Sequence, residues 1–165
     1  MHSRIFELKS DKTDENQLTE SSISCETMSF YGIDYVSEMN ESCTKDSVDW
    51  LKAVYAGAID VDTDAGSFHV SDPKKCMESD FKTFKQALEK LGSMTLDDFV
   101  KINMEHFGDS ISFNMYLLNN AYADKSGFYI YMDDQIKPIN EFIRDMLGDI
   151  TKHTFYLGNV LDYHC

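Results

Sequence analysis

The chain predicts an α+β fold, a small and mostly antiparallel sheet of about five strands with about four to five helices packed mainly on one face. Three observations carry that reading. Short runs rich in aromatic and β-branched residues recur at residues 28–36, 59–70, 128–132 and 155–163. Apolar side chains at steps of three and four mark helices between residues 77 and 91 and between 111 and 122. The order of these pieces lacks the regular βαβ alternation of a doubly wound sheet.

Ile5, Phe6 and Leu8 form a short apolar start. Residues 10–22 are almost wholly polar, with Leu18 their one large apolar side chain, and read as a mobile arm or long loop. From Met28 to Val36 the apolar density rises through Phe30, Tyr31, Ile33 and Tyr35, which predicts a strand with a bulge or bend at Gly32. Asp46 is placed to cap a helix over 47–56, with Asp49 in its first turn and Gly57 past its end. Val48, Leu51, Val54 and Tyr55 give that helix its apolar stripe. Ile59 and Val61 then alternate with acids, and Phe68 and Val70 with Ser67 and His69. Residues 58–70 therefore predict a β-hairpin with one wet face, turning at 63–66.

Asp72 as N-cap, Pro73 at the first helical position and Gly92 as the stop predict one helix about 28 Å long. Met77, Phe81, Phe84, Leu88 and Leu91 share one of its faces, and Lys74, Lys75, Lys82, Lys85 and Lys90 solvate much of the other. Thr95 to Asp98 resembles a capping box and starts a shorter helix through Glu105. Asp109 or Ser110 opens another, with Ile111, Met115, Leu118 and Tyr122 on its stripe and Gly127 ending it. Phe128 to Met132 is apolar on both faces, as an inner strand is. Pro138 to Leu147 predicts a last helix, and Phe155 to Tyr163 one or two terminal strands with a turn or bulge at Gly158 and Asn159.

At 165 residues, with 42% apolar residues, 11 Phe, nine Tyr and nine Met, the chain fits one globular domain over 1–165 with a filled core. Wholesale disorder is excluded by the same composition. No window approaches the apolar length of a membrane-spanning helix, and the opening segment carries charges where a signal peptide needs an apolar stretch. Cys25, Cys43, Cys76 and Cys165 are too scattered for a disulfide framework, so a cytoplasmic location with reduced thiols is expected.

The net charge is −14, and it is uneven: residues 11–64 hold 13 acids against three lysines. With Arg4 and Arg144 as the only arginines, direct nucleic-acid binding is disfavoured, as is an anionic membrane surface. A basic protein surface is the partner the charge fits.

Asp60 to Gly66 echoes the opening of a calcium loop, with oxygens at positions 1, 3 and 5. Position 6 is Ala65 rather than glycine, and position 12 is Ser71 rather than glutamate. The segment therefore reads as a hairpin tip. Asp162, His164 and Cys165, with His153 upstream, hold metal-ligating atoms but no closely spaced pair, so no metal site is expected. Cys76, in the first turn of a long helix, would have its pKa lowered by the dipole, with His69 or His106 as a base for some thiol. No local signature singles out a nucleophile. Glycine-rich phosphate loops and nucleophile elbows are absent, and no cofactor is expected. Tyr129, Tyr131, Phe155, Tyr156 and Tyr163 read as core rather than as a stacking platform.

The residues lean away from an enzyme and toward a non-catalytic interaction or regulatory module. Its docking surface is expected at Glu38, Glu41, Asp46, Asp49, Asp60, Asp62 and Asp64. One alternative is a nucleic-acid mimic that inhibits a DNA- or RNA-binding enzyme, which would need its carboxylates in spaced rows. Another is a small enzyme with an unrecognised site.

Overall fold

A computed structural model describes residues 2–13, 15, 17–100, 111–123 and 127–164. The chain divides into two compact units, Met1–Cys76 with Lys125–Cys165, and Met77–Asp124. Its class is α+β, as expected.

The first unit is built on a mixed sheet whose described strands number seven rather than five. They are β1 (His2–Lys9), β2 (Tyr35–Glu38), β3 (Ile59–Asp62), β4 (Ser67–Val70), β5 (Tyr129–Met132), β6 (Gln135–Pro138) and β7 (Phe155–His164). The order is β3-β4-β7-β1-β5-β6, with β2 also paired to β7. β1 and β5 run parallel, and the other pairings are antiparallel. β1 and β6 account for the difference in number. Arg4, Glu7 and Lys9 interrupt the apolar run of β1, although the strand lies at the centre of the sheet with both faces buried. β6 is short and ends in Pro138, a residue tolerated at a sheet edge because no partner needs its missing N–H.

Residues 28–31 are helical, not extended. α1 (Cys25–Tyr31) is capped by Ser24, whose side chain accepts from the Thr27 N–H, and is stopped by Gly32 at φ 69°. Ile33 N–H then donates to the Met28 carbonyl at 2.8 Å. These start and stop contacts outweigh the strand preference of the aromatic residues between them. α2 (Glu41–Val54) also begins earlier than expected. Asn40, not Asp46, caps it by accepting from the Cys43 N–H, and Asp46 lies inside the helix.

Side-chain contacts show which helix covers which face. Phe6 meets Phe128, which in turn meets Trp50 and Tyr55 of the α2 region. Phe155 meets Phe142 of α7 (Ile139–Asp145). The opposite face holds Ile5, Tyr129, Leu161 and Tyr163, covered by Leu18, Ile23, Ile33, Met28 and Tyr31. Helices thus lie on both faces of this sheet, because α1 occupies the side that a strand at 28–36 would have left open.

The long helix expected from Pro73 to Gly92 is broken. α3 (Pro73–Cys76) ends in the first unit, Met77 has φ −102° and ψ 0°, and α4 (Glu78–Gly92) begins in the second. In that unit α4 packs against α6 (Ile111–Ala123), and α5 (Leu96–Val100) opens with the expected reciprocal cap between Thr95 and Asp98. The buried position of α4 is Ala87, while Phe81 and Leu88 of the expected stripe are exposed. The packed face is therefore turned toward Phe84, Ala87 and Leu91. The expected helix end at Glu105 and start at Asp109 or Ser110 lie outside the described residues, as do His106 and Cys165.

Candidate functional site

The seven acids expected to form a docking surface are all exposed, and they sit on adjoining elements of the first unit. Glu41, Asp46 and Asp49 lie on α2, which packs on β3. Asp60 and Asp62 alternate along β3 with the buried Ile59 and Val61. Glu38 ends β2, where its backbone N–H donates to Glu20 Oε1 at 2.9 Å. Asp64 lies in the turn that follows β3. Among the described residues none of the seven carboxylates joins an ion pair. Lys45 and Lys52 are the two lysines between Glu38 and Asp64.

Apolar surface adjoins these acids. Trp50 and Val54, one helical turn apart on α2, are 42% and 54% exposed. Trp50 is held from below by the edge of Phe128, with ring centroids 4.6 Å apart, and Arg4 lies 5.6 Å from its ring centroid. Residues at that spacing on a helix share a face, so Asp46, Trp50 and Val54 form one exposed row. Of the two residues that the expected stripe offered at this turn, Tyr55 is buried and Val54 is exposed.

The calcium-like string is the tip of the β3–β4 hairpin, as its missing ligands indicated. Asp62 Oδ1 accepts from the Asp64 and Ala65 N–H groups, both at 3.0 Å, and Gly66 takes φ 64°. One of its three carboxylates is therefore spent on the turn. Among the described residues no group of three or more His, Cys, Asp or Glu side chains is arranged to hold a metal ion.

A small polar hollow of about 290 Å³ is lined by His2, Arg4, Glu38, Asn40, Cys43 and Asp162, among others. Asp162 is the hub. It accepts from His2 Nδ1 at 3.0 Å and pairs with the Arg4 guanidinium, whose Nε donates to Ser47 Oγ at 2.8 Å. Ser47 in turn donates to the Cys43 carbonyl at 2.7 Å. Sequence reasoning did not foresee this constellation, because Asp162, its hub, lies more than 150 positions from His2 and Arg4. Among the described residues the Cys43 thiol has no hydrogen bond to His2, so the contact between nucleophile and base that thiol chemistry needs is not made.

Cys76, His69 and His164 have structural surroundings of their own. Burial, and then the nearby Asp72 carboxylate, push the Cys76 thiol up to about 11. The expected lowering by a helix dipole is thereby reversed, since Cys76 closes a four-residue helix instead of opening a long one. His69 Nδ1 donates to the His153 carbonyl at 3.0 Å, and His164 Nδ1 meets Asp34 at 2.9 Å in the paired end of β7. Tyr129, Phe155 and Tyr163 are core, as read, with Tyr131 and Tyr156 half-buried. No protein-family model, curated protein or solved structure matches this chain.

Proposed function

We propose that the protein is a non-catalytic interaction module that docks through α2 and the β3–β4 hairpin on a basic protein surface. The observation that carries the reading is the set of seven exposed carboxylates without ion-pair partners among the described residues, beside the half-exposed Trp50 and Val54. Unpaired surface charge speeds encounter with an oppositely charged partner. A rigid aromatic ring already supported from below loses little conformational freedom when covered, and tryptophan is prominent among residues that dominate binding energy. The acids would steer, and Trp50 would anchor.

The test compares the wild-type chain with Asp46→Asn/Asp49→Asn/Asp60→Asn and with Trp50→Ala as baits for host-cell proteins. Each is washed at about 0.05 M and about 0.5 M salt, concentrations that bracket a large change in screening length. Basic proteins retained by the wild type at low salt should be lost at high salt and from both variants. Retention of the same proteins by every bait at both salt concentrations would refute the reading.

A further inference from the structure

The end of the sheet away from β3 carries a second and larger hollow. A cleft of about 550 Å³ lies between α1 and the β5–β6 hairpin, lined by Glu26, Phe30, Tyr31, Tyr131, Asp134 and Lys137, among others. That volume falls within the usual range for small-molecule sites. Phe30 is 70% exposed at its rim, standing edge-on to Tyr31 with ring centroids 4.9 Å apart. Asp133 and Asp134 form the two-residue turn at φ 51° and 59°, a left-handed conformation that non-glycine residues adopt at some cost. There Asp134 Oδ1 accepts from the Tyr131 hydroxyl at 2.9 Å.

Two carboxylates, Glu26 and Asp134, and one base line the cleft. Glu26 makes no ion pair among the described residues. The one lining base, Lys137, is drawn to Asp145 at 2.5 Å. Burial and then the bond and charge of Asp134, with Glu7 behind it, push the Tyr131 hydroxyl up to about 12. Burial and the Glu141 charge raise Tyr31 as well. Aromatic rings and carboxylates around one hollow are the chemistry that recognises a cation with an organic shell.

We propose that this cleft binds an organic ammonium or guanidinium group, seated against Phe30 and Tyr31 between the Glu26 and Asp134 carboxylates. β6 and β3 are opposite ends of the sheet order, so the site is separate from the docking face. Either can fail without the other.

Amide chemical shifts of the full ¹⁵N-labelled chain test it, with tetramethylammonium, blocked lysine and blocked arginine as probes and acetate as control at matched ionic strength. Saturable shifts confined to residues 26–31 and 133–137 are expected with the cations and not with acetate. Glu26→Gln changes an exposed side chain and should unfold at the wild-type midpoint, Phe30→Ala also gives up the ring contact with Tyr31 and should unfold slightly earlier while still folded in buffer, and each should weaken binding about threefold or more. Tighter binding of the blocked amino acids would identify a protein side chain as the ligand, and tighter binding of tetramethylammonium a free small amine. Shifts spread over exposed carboxylates throughout the chain, equal shifts with acetate, or unchanged binding by both variants would overturn the proposal.

Discussion

Glu7 is 4% exposed, and a carboxylate so far out of water needs compensating donors. Its Oε1 accepts from the Leu18 N–H at 3.0 Å and its Oε2 from the Asn159 N–H at 2.8 Å. The Lys9 ammonium lies 3.8 Å away. Room for the side chain comes from a β-bulge, in which Gly158 and Asn159 of β7 together oppose Glu7 of β1. A Cβ at position 158 would lie 2.1 Å from Glu7 Oε2, so the glycine is required while the glutamate is present. Glu7→Ala should cost about 3 kcal/mol by orphaning two backbone donors, and Gly158→Ala about 2 kcal/mol by overpacking. In the double variant the clash disappears with the longer side chain, and the loss should fall short of the sum by more than about 1 kcal/mol. Urea unfolding of the four proteins measures this, and strictly additive losses would contradict it. The bulge itself was legible from Gly158 and Asn159. Glu7 was not, because its burial is decided by backbone 152 positions away.

At the scale of elements, the hairpin from Ile59 to Val70, the last helix and the inner strand β5 were legible because period and punctuation agree there. Where they disagreed, end signals decided the outcome. Ser24 and Gly32 close a helix around aromatic residues, and Asn40 starts α2 six residues ahead of the acid expected to cap it. The α4 stripe was misjudged for another reason: spacing locates an apolar face but cannot tell which edge of it a partner helix covers. Glycine substitutions isolate the end signal. Gly32 and Gly92 both have open space where a Cβ would go, and only Gly32 has positive φ. Gly32→Ala should therefore destabilise by about 1 kcal/mol, while Gly92→Ala, at the last residue of α4, should be neutral or stabilising by less than the roughly 1 kcal/mol that alanine gains over glycine inside a helix. Urea midpoints of the two variants compare them, and equal losses would mean that Gly32 does not act through its backbone conformation.

For the whole molecule, net charge and its concentration in residues 11–64 were legible by counting, and the exposure of Asp60 and Asp62 was legible from their alternation with Ile59 and Val61. The cleft beside α1 was not, since it needs a helix where strand-like residues stand. The half-buried Tyr131 hydroxyl that lines it and the buried Cys76 thiol also set how the fold responds to alkali. Cys76 is raised from 9.0 to about 11, and Tyr131 from 10.0 to about 12. Both groups are neutral when protonated, so the unfolded chain releases these protons first and binds fewer of them across each interval. Stability contributed by the protonated forms is complete below the unfolded pKa and declines as pH rises toward the folded one. Unfolding midpoints should accordingly hold steady up to about pH 9 and then fall through about pH 12, the span these two shifts define. Repulsion within a chain already at −14 adds to that fall, but it acts at every site and is screened by salt. The local contributions are separable at high salt. Cys76→Ala should flatten the lower part of the decline and Tyr131→Phe the upper part, whereas curves parallel to the wild type would show that general repulsion, not these two groups, drives alkaline unfolding.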